Sequence, residues 1–119
     1  EVFLLCKENS LNCCQLCAKK ICSLENKILT DNEIGMLSLL GDGLGIGGMC
    51  GALTGSLAVM GILSDSKNKD FIRTELILSF AERFSTVNCC KLTEYHSDFC
   101  KEIIDFCINS TINILKNQN

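Results

Sequence analysis

The chain is predicted to be an all-α, compact bundle of about five helices with a Gly-rich turn before the third. Three observations carry that prediction. Apolar residues recur at three- and four-residue spacing, and no segment alternates like a half-buried strand. There is no Pro among the 119 residues. All nine glycines fall between Gly35 and Gly61, so the main turn is concentrated in one place. With 47% hydrophobic residues and neither repeat nor linker, residues 1–119 read as a single Cys-rich domain with its own core.

Taken in order, residues 2–25 place Leu4, Leu5, Leu11, Leu16 and Ile21 apart from Lys7, Glu8, Lys19 and Lys20, the pattern of an amphipathic first helix ending near Asn26. Thr30 and Glu33 stand at capping-box spacing, which predicts a short second helix carrying Ile34, Met36, Leu37, Leu39 and Leu40. The glycine turn leads into a third helix over roughly 49–63, closed by Ser64-Asp65-Ser66. Phe71, Ile72, Leu76, Ile77, Phe80 and Phe84 define a fourth helix from Asp70 to about Ser85. After the break at Ser85-Thr86-Val87-Asn88, Phe99, Ile103, Phe106, Ile112 and Leu115 define a fifth from about Ser97 to Lys116.

A net charge of -3 and a pI near 5.1 give no electrostatic footprint for nucleic acid or anionic lipid. The uncharged run from Gly43 to Ser64 contains Gly47, Gly51 and Gly55 at G-x-x-x-G spacing, as packed membrane helices do. Its first six residues are a turn, which leaves about 15 helical positions, too few to span a bilayer comfortably. Gly43-Leu44-Gly45-Ile46-Gly47-Gly48 matches G-x-G-x-x-G, but no strand precedes it, so a dinucleotide fold cannot be built around it; no Lys-Ser/Thr follows to make a P-loop.

Ten cysteines are several times ordinary usage. Long apolar periodic runs and the vicinal pairs Cys13-Cys14 and Cys89-Cys90 favour reduced thiols over a disulfide framework, and hence a cytoplasmic location. Cys6, Cys13 and Cys17 share one helical face, Cys14 and Cys17 have C-x-x-C spacing, and Cys100 and Cys107 are a heptad apart. Cys50 is distinguished by its place after the glycine turn at a helix start, where the N-terminus lowers thiol pKa and favours a thiolate. His96, beside Tyr95, reads as a solvated residue, and Asp98, Glu102 and Asp105 as the solvated face of the last helix. No Ser-His-Asp or Cys-His arrangement points to a hydrolase.

Asn12-Cys13 and Asn88-Cys89 form twin Asn-Cys elements, Cys50-Gly51-Ala52-Leu53-Thr54-Gly55 is a full C-G-A-x-x-G, and Cys100-Lys101-Glu102-Ile103-Ile104 opens the final helix. Over nearly the whole chain this resembles the redox-active family written C_GCAxxG_C_C, whose fold is similar to the C-terminal domain of split-Soret cytochrome c. The resemblance implies redox activity in a mostly anaerobic prokaryotic setting, a redox partner protein and an association with membrane transport. It nominates Cys13, Cys50, Cys89 and Cys100 as metal ligands, with Cys14, Cys90 and Cys107 as adjacent substitutes. Four thiolates suit an iron–sulfur cluster, [2Fe–2S] above all, with Gly47, Gly48 and Gly51 offering N–H groups to it. The alternatives are structural zinc in a partner-binding module and metal-free thiol exchange or sulfur relay through Cys50. A second copy of the chain is expected to pair through the Gly51-Gly55 face.

Overall fold

The computed structural model describes residues 11–64, 66–88 and 99–117, and its first element starts where Asn12 caps it. Asn12 is extended, and its side chain accepts a hydrogen bond from the Gln15 N–H while the Gln15 side chain accepts one from the Asn12 N–H. This capping box opens α1, Cys13–Leu24. The helix expected over 2–25 therefore begins, among the described residues, only at Cys13; positions 2–10 lie outside them. Asn ends helices readily because its side chain competes for nearby backbone groups. At the far end Asn26 turns left-handed, and the Lys27 N–H donates to the Cys22 carbonyl at 2.8 Å.

Thr30 and Glu33 form the expected box and start α2, Asp31–Met36. This helix stops after six residues and buries none of them. The apolar run assigned to it is thus not a core face: Leu37 is buried in the turn beyond, while Met36 and Leu39 are exposed. Two further helices run close to their expected spans, α3 over Gly51–Leu63 and α4 over Lys69–Phe84. The last, α5, covers Phe99–Lys116. Ile72, Leu76, Phe80 and Phe84 make the buried stripe of α4 at four-residue spacing, and Phe71, one residue out of that register, is 65% exposed.

Among the described residues there are five α-helices and no strand, only an isolated antiparallel bridge between Met49 and Asn88. The fold is all-α. α1 lies at its centre, packing most extensively on α3 and also on α5, and it buries seven of its twelve residues. α5 closes the bundle against α3 and α4, where Phe80, Phe84 and Phe106 stack with centroids 4.9 to 6.1 Å apart. Glycine sets the depth of the α1–α3 crossing: a Cβ on Gly55 would overlap the Cys14 backbone. At Gly55, on the face named for pairing with a second copy, α1 is the neighbour. No helix among the described residues is long and apolar enough to cross a membrane.

Candidate functional site

The glycine turn is built as a left-handed loop. Gly43, Gly45 and Gly47 all have φ between 63° and 77°, a region open to glycine without strain, and Leu44 joins them at 64°. The Gly43 carbonyl accepts from the Gly48 N–H at 2.8 Å and from the Ile46 N–H at 3.3 Å. The Gly48 N–H, expected to serve a cofactor, is thus spent inside the loop. Gly47 helps reverse the chain, and Gly51 is the first residue of α3.

The loop delivers Cys50 as the N-cap of α3, with its side chain 7% exposed. No side chain caps this helix, so its first N–H groups present their partial positive charge at Cys50. The backbone is pinned from the other side: the Cys50 N–H donates to the Val87 carbonyl at 2.7 Å, and Met49 bridges Asn88. The residues before Cys50 and before Cys89 therefore pair with each other. Cys89, Cys90, Cys6 and His96 lie outside the described residues, as does the side chain of Cys100 in the first turn of α5.

Two further helices carry buried thiols on which the Cys50 charge acts. Cys14 from α1 is fully buried; burial, and then the neighbouring Cys50 charge, push its thiol from an ordinary 9.0 up to about 11. Cys107 from α5 is raised further by the same two causes, burial first, against a smaller opposing effect of its hydrogen bond with Ser56. Ser56 is itself buried and donates to the Ala52 carbonyl at 2.8 Å. The Cys50 charge thus acts on buried thiols from two other helices. Of the expected ligands Cys13 is only half-buried at the start of α1, and its neighbour Cys14 is the residue turned inward. Cys14 is the substitute the sequence offered beside Cys13, and the helix phase that turns it inward is set by the Asn12 cap.

The six described cysteines, Cys13, Cys14, Cys17, Cys22, Cys50 and Cys107, are thiols rather than half-cystines. No group of three His, Cys, Asp or Glu side chains among the described residues stands close enough to hold one metal ion. Raised thiol pKa values also set a pH dependence. A thiol harder to ionise folded than unfolded stabilises the fold fully below the unfolded value and ceases to do so as pH passes the folded one. The metal-free protein is expected to keep a constant contribution from Cys14 below pH 9.0 and to lose it up to pH about 11, with Cys107 extending the loss upward. The Cys14 share is about 2 kcal/mol. Urea midpoints from pH 7 to 11 check this, and Cys14→Ala should flatten the decline.

An all-α bundle with six described thiols, five of them buried and one of those at a helix start, defines a cysteine-based protein. Its family is settled by comparison: residues 11–114 match the family described as "Putative redox-active protein (C_GCAxxG_C_C)", and the chain belongs to that family. No curated protein and no solved structure matches it.

Proposed function

We propose that this redox-family protein transfers electrons through a sulfur centre organised by Cys50, and that its thiolates hold an iron–sulfur cluster. The observation that carries the reading is Cys50 at the start of α3, whose charge acts on the buried thiols of Cys14 and Cys107 from two other helices. The donor chemistry fits such a group, since all three are sulfur and the uncapped helix start favours negative charge. A cluster bound there would supply one-electron transfer at a potential set by burial and hydrogen bonds to sulfur. The remaining ligands would come from Cys89, Cys100 or Cys13, with the pairing of Asn88 beside Met49 supporting the second Asn-Cys element. In this reading the chain works in a reducing compartment, the cytoplasm, and exchanges electrons with a partner protein.

A second reading rests on the lack of any three-ligand group among the described residues. Cys14 and Cys50 then act without metal: their two thiols give two electrons and two protons to a partner disulfide, forming one Cys14–Cys50 bond and leaving the partner as a dithiol.

The test is an ultraviolet–visible spectrum with iron, zinc and acid-labile sulfide analysis on protein purified without air. Absorption at about 400–600 nm with equal iron and sulfide is the expected result for a thiolate-ligated cluster. A colourless, metal-free protein would overturn the cluster and leave the dithiol; a colourless protein with stoichiometric zinc would make this a structural site.

A further inference from the structure

The two capping boxes of this chain differ in chemistry, and the difference points at the sulfur centre. The box of α2 uses Thr30 and Glu33, is exposed, and needs only acceptor oxygens. The box of α1 uses two amides, and each side chain is used twice. Asn12 Oδ1 caps the Gln15 N–H at 2.8 Å while its Nδ2 donates to the Ser38 carbonyl at 2.9 Å and the Leu37 carbonyl at 3.4 Å. Gln15 Oε1 accepts from the Asn12 N–H at 3.0 Å while its Nε2 donates to the Ile34 carbonyl at 3.0 Å. The carbonyls so engaged belong to the last turn of α2 and the residues just past it, and those of Ile34 and Leu37 also accept the Leu37 and Leu40 N–H groups at 3.1 Å.

This geometry also explains a glycine at the entrance of the loop. A Cβ on Gly41 would stand 2.5 Å from Asn12 Cγ, so the Asn12 side chain occupies the space where any other residue would place its own. The start of α1, the end of α2 and the first glycine of the turn are thereby locked together. Cys14 is two residues inside that start, and Cys50 is at the far end of the same turn. From these contacts we infer that Asn12 and Gln15 are positioning residues: their oxygens start α1, and their NH2 groups tie that start to the strap leading to Cys50, holding Cys14 against it. The inference rests on the reading of Cys50 as the organiser of the redox centre.

Serine is as good an N-cap as asparagine but carries no second donor, so Asn12→Ser keeps the helix start and removes the tie without adding charge. The metal-free protein and the variant are equilibrated in glutathione buffers of graded ratio, trapped by alkylation, and the Cys14–Cys50 disulfide is quantified by mass spectrometry. Glutathione disulfide takes up the two electrons and two protons released as the bond forms, so the equilibrium reads how well the two sulfurs are held together. The ratio of disulfide to dithiol is expected to fall about tenfold in Asn12→Ser, about 30 mV for a two-electron couple, with unchanged far-ultraviolet circular dichroism. Glu33→Gln, in the other box, should match the parent. An unchanged ratio in Asn12→Ser overturns the positioning role, whereas no Cys14–Cys50 disulfide even in the parent overturns the Cys50-centred reading beneath it. Gln15→Glu, which keeps the return bond and replaces the donation to Ile34 with a repulsive carboxylate, is expected to lower the ratio at least as far should Asn12→Ser lose helicity.

Discussion

Gly55→Ala is expected to cost about 3 kcal/mol, the upper part of the range for overpacking a tight core. A Cβ at this position meets the carbonyl oxygen of Cys14 and lies 2.9 Å from both its carbonyl carbon and its Cα. All three are backbone atoms, so no rotamer change relieves the overlap and α1 must move away from α3. That crossing is the most extensive in the fold and carries Cys14, Cys17 and Leu53, all among the most buried residues. Gly61, in the same helix, provides the contrast. A Cβ there meets nothing within 4 Å, so Gly61→Ala should stabilise by about 0.5–1 kcal/mol through helix propensity alone. Urea midpoints decide it: a Gly55→Ala midpoint at or above that of Gly61→Ala would show that the two helices do not approach as described. Against a stability of roughly 5–15 kcal/mol for an ordinary domain, the expected loss is a large fraction.

The helices that were legible in the sequence are those whose signal is local. Thr30 and Glu33 announce α2 by a three-residue spacing, and Ile72, Leu76, Phe80 and Phe84 announce α4 by a four-residue one. The turn and the position of Cys50 were equally plain, since glycine adopts left-handed backbone without strain and supplies three of the four left-handed residues there. What escaped depended on partners distant in sequence. Apolar periodicity carried the first helix through Asn12, because nothing local reveals that its amide has carbonyl acceptors 25 and 26 residues away. Which of Cys13 and Cys14 turns inward is likewise not local: one residue of helix phase separates them, and that phase is fixed by the cap and by Gly55 against the Cys14 backbone. The glycine ladder signals a close approach without naming the partner, and at Gly55 the partner is α1 of the same chain. The use of the Gly48 N–H to close the loop on the Gly43 carbonyl has no local sequence signal either.

Cys50→Ser and Cys22→Ser should separate redox capacity from stability in opposite directions. Both thiols are buried, and each variant exchanges a sulfur for an oxygen of similar shape. Cys50 is an N-cap with no side-chain hydrogen bond to its helix, a position where serine is among the favoured residues, so the exchange gives α3 a cap in place of a thiol. The fold should survive with its stability within about 1 kcal/mol. The centre should not survive, because Cys50 is the thiol whose charge reaches both Cys14 and Cys107. Iron and sulfide, or in a metal-free protein the two-electron capacity towards glutathione, should fall by at least about tenfold, as expected when one thiolate of a shared set is lost. Cys22 lies in the last turns of α1, where its thiol is raised by burial, with Lys27 opposing and Glu33 adding to the rise. A hydroxyl buried there without an equivalent partner costs about 1–3 kcal/mol, and the redox capacity should be that of the parent. Equal loss of redox capacity in the two variants would remove Cys50 from its place at the centre; loss in Cys50→Ser alone, with the fold intact, would mean that the N-cap of α3 is held by cysteine for its sulfur, at a position where serine would serve the helix better.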